Sequence, residues 1–287
     1  MSTRFPALRR PAVAGMFYPA DPDALRAQVS ECFARPPGPG EIPAVAESGP
    51  RELLGLVCPH AGLIYSGYAA AHAYRALALD GPLEVAVILC PNHHGMGADN
   101  AVWPEGAWQT PLGPVPVDAA LATAIQEACG LVTPDVLPHL NEHAVEVQLP
   151  FLQLLYGPSL AIVPIAMKHY SLPDCVALGE AIAEACRERR AVIIASSDFS
   201  HYESAARARA QDRYALDAIA RLDGEALFEV VREHRITTCG YGPVAAMLAA
   251  ARRLGARRSE TLLYTTSGDI TGDDSRVVGY AAVKVCR

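Results

Sequence analysis

The strongest constraint on the fold of this chain is an uninterrupted apolar run at residues 85–90, which stops at a Pro-Asn turn followed by His93 and His94. A short apolar run without alternation predicts a strand buried on both faces, as in parallel sheets covered by helices. Ligands in open α/β sheets bind just beyond the carboxyl ends of the strands. The histidine pair therefore stands where metal or substrate chemistry is expected.

Two other segments repeat this arrangement of an apolar run followed by polar residues. Residues 53–58 lead into His60, and residues 191–195 lead into a segment that contains Asp198 and His201. A turn between two predicted helices carries Cys239 in a Thr-Thr-Cys-Gly sequence. We expect all of these side chains to meet at one edge of one sheet.

Length and composition allow one α/β domain or two, and we favour a single domain over residues 1–287, with a Pro/Gly-rich surface loop at about 35–50. The chain has 287 residues, 51% of them hydrophobic, so it can bury a large core. The net charge of -7 argues against nucleic-acid binding, which needs clustered cations. Short arginine clusters at 187–190 and 252–258 are typical of solvated helix ends.

The cysteine pattern and the absence of apolar segments favour a cytoplasmic protein. The eight cysteines are scattered without a C-x-x-C pair, which predicts reduced thiols and no disulfide framework. No signal-like apolar region or run of eighteen apolar residues is present, so we expect neither secretion nor membrane association. The nucleotide-binding motifs G-x-G-x-x-G and G-x-x-x-x-G-K-[ST] and the hydrolase motif G-x-S-x-G are also absent.

Periodicity and capping residues predict alternating helices and strands. We expect Ser66 to cap an Ala-rich helix that reaches Leu77, and Glu142 and His143 to stand at the N-terminal end of a helix over 145–152. Residues 267–274 are predicted to form a polar loop. The other predicted helices are about 22–33, 118–129, 173–187, 205–222, 224–234 and 243–254; the other strands are 160–167, 261–264 and 277–285, with edge strands or a hairpin over 101–117.

The residue types at the strand ends suffice for a transition-metal site. Neutral imidazole and thiolate suit metals of intermediate softness, and carboxylates suit harder ions. The candidates are His60, His93, His94, His201, Asp198 and Cys239. Each also has a structural alternative: a single histidine is often a hydrogen-bonded structural residue, and Cys239 could be a small buried hydrophobe. Glu142 and His143 fit capping as well as acid/base work, and residue types alone leave open which histidine of the pair points inward.

Several motifs together resemble the Memo family, whose bacterial and archaeal members belong to the AmmeMemoRadiSam system. The matching segments run in the family's order over 11–19, 59–67, 91–94, 142–151, 196–201 and 238–240. The family is similar in fold to class III extradiol dioxygenases, which are non-haem iron enzymes. The resemblance therefore implies a single domain with a mostly parallel central sheet and helices on both faces.

The resemblance also implies the roles of individual residues. His60, His93 and Cys239 match the metal-liganding positions, so the family's pattern selects His93 over His94 as the inward histidine. Asp198 and His201 match two further site residues, and His201 is the expected general base. The residues expected to contact substrate are His94, Glu142, His143, Tyr65 and Phe17. The implied metal is iron or copper, with zinc as a third candidate, and companion proteins of the system, including a radical SAM protein, are the expected partners.

One departure from the dioxygenases limits the functional prediction. Those enzymes complete two histidines with a carboxylate, whereas the matching residue here is Cys239. A thiolate is softer, favours copper(I) or zinc and can itself be oxidised, so ring cleavage does not follow from the fold. Three hypotheses result: a metal-dependent oxidoreductase acting on a small molecule or peptide, a non-catalytic protein that limits copper or iron redox chemistry, and a peptide or protein interaction module.

Overall fold

The computed structural model describes residues 5–49 and 51–287. Its strands are β1 (Leu8–Arg9), β2 (Leu53–Cys58), β3 (Val85–Pro91), β4 (Asn100–Val102), β5 (Ala107–Thr110), β6 (Gly113–Pro116), β7 (Thr133–Pro134), β8 (Ala161–Met167), β9 (Ala191–Ser196), β10 (His201–Glu203), β11 (Arg258–Thr266) and β12 (Val277–Cys286). Its α-helices are α1 (Pro22–Ala34), α2 (Leu63–Leu79), α3 (Ala119–Ala128), α4 (Leu149–Tyr156), α5 (Leu172–Cys186), α6 (Ala205–Ala220), α7 (Gly224–His234), α8 (Tyr241–Arg253) and α9 (Ser267–Thr271). Short 3-10 turns occupy Leu137–His139, Glu146–Gln148 and Gly157–Ser159.

A nine-stranded mixed sheet forms the centre of the domain, with the order β10-β12-β2-β9-β3-β8-β4-β7 and β11 paired to β12. The central strands β2, β9, β3 and β8 are mutually parallel. Antiparallel pairs flank them, because β12 lies beside β2 and β4 lies beside β8. The strands predicted to end at Cys58, Cys90 and Ala195 therefore share one sheet in one direction, and their carboxyl ends lie at the same edge.

Helices cover both faces of the sheet, as predicted. One face packs against α1, α2 and α4 and includes Leu56 and Ile88. The other packs against α3, α5, α6, α7 and α8 and includes Val57 and Val87. Residues 85–91 are buried throughout, which explains why their sequence is apolar without alternation.

Two local predictions are wrong. Helix α2 begins at Leu63 with Gly62 at its N-cap, and the Ser66 hydroxyl donates to the Ala61 carbonyl inside the first turn. Part of the predicted loop at 267–274 is the short helix α9, which a capping box of Thr266 and Asp269 stabilises.

Other predicted elements are confirmed with changed bounds. Residues 101–117 supply β4 to the large sheet and the hairpin β5–β6 to a separate three-stranded sheet with β1. Residues 35–49 contain neither helix nor strand, as expected for the loop. No helix in the described parts of the chain combines the length and apolar character needed to cross a membrane.

Candidate metal centre

Two strand-end segments and one turn between helices bring two imidazoles and one thiol together. His60 follows β2, His93 follows β3, and Cys239 lies just before α8. One ligand atom from each of these side chains lies within 4.8 Å of the others, and Cys239 Sγ is 3.3 Å from His60 Nε2. In a tetrahedral zinc site the bond lengths place a nitrogen and a sulfur ligand about 3.5 Å apart. The spacing therefore fits one shared metal ion.

His60 is held rigidly at the bottom of the centre. Its side chain is almost fully buried, its backbone N–H donates to Asp198 Oδ1 over 2.7 Å, and its Nδ1 lies 2.9 Å from the Ser196 hydroxyl. Burial, reinforced by the nearby His93, lowers the pKa of His60 to about 3. The ring is therefore neutral at pH 7, which is the form that binds metals.

Glu142 orients His93. Its carboxylate accepts the His93 backbone N–H over 2.8 Å and lies 2.9 Å from the ring Nδ1. Burial alone would raise the pKa of Glu142, but the bond from His93, the neighbouring imidazoles and the Ala144 N–H together lower it to about 2. Because a carboxylate only accepts hydrogen bonds, His93 carries its proton on Nδ1 and leaves Nε2 free for a metal.

His143 and Phe17 extend the centre into a cluster of rings. The His143 ring stacks on His93 with centroids 4.8 Å apart, and it meets the edge of His60 at 5.3 Å. Phe17 also packs against His143, with its ring centroid 4.8 Å from that of His143. Burial, together with His60, lowers the pKa of His143 to about 4. These two residues form a wall beside the ligand atoms, where the sequence predicted substrate contacts.

A second group of possible metal ligands, His93, Glu142 and His143, shares His93 with the first, but its carboxylate is already occupied by hydrogen bonds. Ligand atoms of His93, Glu142 and His143 also lie within 4.8 Å of one another. Glu142 is fully buried, and its two oxygens already accept from the His93 N–H, the His93 ring and the Ala144 N–H. Its role is therefore to orient imidazoles, and the set with Cys239 is the better metal site.

Asp198 and His201 lie near His60, on the segment that runs from the end of β9 into β10. Burial raises the pKa of Asp198 from its usual value, although the His60 N–H opposes this shift. The His201 ring Nδ1 lies 2.8 Å from the Thr237 carbonyl. Because that carbonyl only accepts, a neutral His201 carries its proton on Nδ1 and has an unprotonated Nε2.

The segment around Cys239 is also fixed by hydrogen bonds. The Tyr170 hydroxyl donates to the Cys239 carbonyl over 3.1 Å, and the Gly240 N–H donates to Ser197 Oγ over 3.0 Å. A Cβ on Gly240 would lie 2.5 Å from Ser197 Cβ, so only glycine permits this approach. Burial and the nearby Asp198 raise the pKa of the Cys239 thiol. The thiol therefore holds its proton unless a cation replaces it.

His94 and Tyr65 lie outside the ring cluster. The exposed His94 turns away, with its Nε2 2.9 Å from the Asn141 carbonyl, whereas His93 points towards His60. Tyr65 lies in the first turn of α2 with 36% of its surface exposed. Both can contact a molecule at the mouth of the centre but not an ion between the ligand atoms.

Two buried residues of the site were not identified from the sequence. Gln148 and Ser196 are fully buried behind His60, and the Gln148 Nε2 donates to Ser196 Oγ over 2.8 Å. An amide within the apolar segment 144–152 was the available signal for Gln148. Ser196 was visible only as the polar residue at the end of β9.

Comparisons with known proteins agree with this architecture. The family model described as Memo-like protein matches residues 9–284. A MEMO1 family protein from Methanopyrus kandleri is 47% identical over 277 residues, covering 96% of this chain and 98% of the relative. A MEMO1 family protein from Methanothermobacter thermautotrophicus is 47% identical over 276 residues, covering 96% and 99% of the two chains.

A solved structure shows the same fold at low sequence identity. The crystal structure of an uncharacterized protein from Escherichia coli K12 has a TM-score of 0.56 and 15% identity, and the match covers 80% of this chain and 99% of that one. With a family match over nearly all of its length, this chain belongs to the Memo family.

Proposed function

We propose that the protein is a metal-dependent oxidoreductase with one iron or copper ion bound by His60, His93 and Cys239. The observation that carries the proposal is the convergence of two imidazoles and a thiol within 4.8 Å at the carboxyl edge of the sheet. Two nitrogens and one sulfur leave further positions open on a four- or five-coordinate ion. Iron or copper held in this way supplies one-electron chemistry and a place for an oxidant.

The chain's own residues would handle the substrate proton. His201 offers an unprotonated Nε2 when neutral, because its Nδ1 lies 2.8 Å from the Thr237 carbonyl. An imidazole near neutral pH is well matched to remove a proton from a hydroxyl group. Asp198 accepts the backbone N–H of His60, so it links the segment of His201 to a ligand residue.

Exposed apolar side chains close in sequence to site residues support an organic substrate with an apolar part. Met16 precedes Phe17 and is 72% exposed, and Tyr202 follows His201 and is 68% exposed. Met96, two residues after His94, is 40% exposed. Exposed apolar groups on segments that carry site residues are a feature of many binding surfaces.

Oxygen uptake tests the proposal directly. The protein, loaded anaerobically with iron(II) or copper(I), is mixed with a reductant and a panel of phenols before air is admitted. We expect uptake above that of metal-free protein, and His201→Gln should lower the rate by about 10²- to 10⁴-fold without loss of metal. His234→Gln, at the end of α7 and stacked on Tyr214, is the control and should keep the wild-type rate.

A second candidate is a non-catalytic protein that restrains copper or iron redox chemistry. The observation that favours it is the thiol of Cys239, because a thiolate stabilises copper(I) and is itself oxidised when oxygen binds nearby. Tight metal binding with no oxygen uptake under any of the conditions above would refute the oxidoreductase and leave this candidate.

A further inference from the structure

A buried chain of polar side chains lies directly behind His60. Tyr74, Gln148 and Ser196 are all fully buried, and they connect α2 and the segment before α4 to the end of β9. Buried polar groups that are all paired have little freedom, so the direction of each hydrogen bond can be deduced from the chemistry of its partners.

Two neighbours determine the orientation of the Gln148 amide: the Pro59 carbonyl, which can only accept a hydrogen bond, and the Tyr74 hydroxyl, which can donate one. Its Nε2 lies 3.0 Å from the Pro59 carbonyl, which only accepts, so the nitrogen must be on that side. The second N–H of the same nitrogen points to Ser196 Oγ at 2.8 Å. The Tyr74 hydroxyl donates to Gln148 Oε1 over 2.7 Å, which completes the amide.

The Ser196 hydroxyl has one proton, and it donates that proton in a hydrogen bond to a backbone carbonyl. Its Oγ donates to the Ala144 carbonyl over 2.7 Å, a group that cannot donate in return. Towards His60 Nδ1, at 2.9 Å, Ser196 can therefore only accept. A neutral His60 consequently carries its proton on Nδ1, and the lone pair of Nε2 faces Cys239 Sγ at 3.3 Å.

We propose that Ser196 is a positioning residue that holds His60 in the Nδ1–H tautomer and so makes Nε2 its metal-binding atom. The inference rests on the proposed metal site and adds the residue that orients one ligand. Ser196 does for His60 what Glu142 does for His93, but with a neutral oxygen in place of a carboxylate. Because an anionic partner raises the basicity of a ligand imidazole, the two histidines become donors of unequal strength.

Nitrogen NMR on metal-free protein with ¹⁵N-labelled histidine reads the tautomer directly. In the wild type we expect the proton of His60 on Nδ1. In Ser196→Ala the buried Nδ1–H loses its acceptor, so the proton should move to Nε2, where it faces Cys239 Sγ. Zinc, used as a redox-inert probe, should then bind about 10- to 100-fold more weakly, the usual cost of losing such a partner.

Gln148→Met is the matched control. It removes a buried polar group from the same hydrogen-bond network but leaves the hydrogen bond from the Ser196 hydroxyl to the Ala144 carbonyl. It should therefore keep the Nδ1–H tautomer. A wild-type His60 with its proton on Nε2, or a Ser196→Ala protein that keeps both Nδ1–H and full zinc affinity, would overturn the inference. The wild-type spectrum tests the predicted tautomer of His60 even if a variant does not fold. Absence of zinc binding by the wild type would instead refute the metal site. The spectrum of metal-free protein tests the tautomer separately, so failure of the metal site can be distinguished from failure of the role of Ser196.

Discussion

His93 and His94 are neighbours in sequence with different surroundings. His93 has its Nδ1 2.9 Å from the buried Glu142 carboxylate and its ring 5.2 Å from that of His60. The exposed His94 contacts only a backbone carbonyl, that of Asn141, through its ring. Of the two, only His93 is therefore placed to join His60 and Cys239 in the proposed metal site.

Replacing each histidine separately tests this difference. His93→Ala should remove most bound iron or copper, because it deletes a ligand and leaves the Glu142 carboxylate without its partner ring. His94→Ala should retain more metal. Elemental analysis of the two purified variants measures the effect, and equal loss from both would show that the inward assignment of His93 is wrong.

The identity of residue 239 tests which metal the proposed site would prefer. We expect Cys239→Glu to lower copper(I) affinity by about 10- to 100-fold or more, since even changes around the ligands have this effect and a carboxylate is a harder donor. Iron(II) should still bind, because two histidines and one carboxylate are a common iron site. Anaerobic titration with both ions measures this, and unchanged copper(I) affinity would mean that the thiol is not a ligand.

The sequence predicted which side chains converge better than it predicted the residues that support them. His60 and His93 could be named because they follow strands and match family motifs, whereas Cys239, in a turn between two helices, was named from the family motif. Glu142 was expected to contact substrate, but it is fully buried and its oxygens accept three hydrogen bonds from protein groups. Contacts across 49 residues between Glu142 and His93 depend on packing, which local pattern does not reveal.

At the scale of elements, a buried ion pair fastens the N-terminal segment to the segment that carries Glu142 and His143. Arg9 and Glu146 are 1% and 0% exposed and form a salt bridge. Arg9 also donates to the Glu142 carbonyl over 2.6 Å, and Glu146 accepts the Ala12 N–H over 2.8 Å. The pair thus holds the segment that leads to Phe17 against the segment that carries Glu142.

Removing Arg9 should be costly for stability. Arg9→Met leaves the Glu146 carboxylate buried without its cation, which typically lowers the free energy of unfolding by about 3–5 kcal/mol. Urea denaturation measures the change. Arg35→Met is the control: Arg35 forms an ion pair with Glu31 in α1, but it is 72% exposed, so its loss should change stability by about 0.5 kcal/mol or less. Similar small changes in both variants would contradict the fastening role.

The order of elements was largely predictable, whereas their tertiary roles were not. Apolar runs such as 85–90 identified the parallel strands because burial on both faces leaves no polar alternation. The N-terminal segment was described as irregular, and nothing in its local pattern indicated that Arg9 reaches across to Glu146. Ser66 was misplaced as a cap because the structure uses its hydroxyl to bind the Ala61 carbonyl.

At the scale of the whole molecule, buried neutral histidines make stability depend on pH. Burial lowers the pKa of His139 to about 4, and the same direction holds for His60 and His143. An unfolded histidine has a pKa near 6.5. The unfolded chain therefore binds more protons between about pH 6.5 and 4, so stability falls as the pH is lowered through this window.

We expect His139→Asn to reduce this pH dependence. Asparagine retains a side-chain N–H for the Ala101 carbonyl, which the His139 ring meets at 3.0 Å, but it does not titrate. The loss of stability of metal-free protein between pH 6.5 and 4.5 should be smaller in the variant by about 2–3 kcal/mol at most. Urea denaturation across this pH range measures it, and parallel curves for the two proteins would show that His139 is not the titrating group.

The measurement that tests the central claim most directly is the metal content of anaerobically purified protein, combined with anomalous diffraction from the same sample. We predict about one transition-metal ion per chain, with its anomalous peak between His60 Nε2, His93 Nε2 and Cys239 Sγ. An ion located elsewhere, or full metal content in a protein that lacks all three of these side chains, would contradict the account.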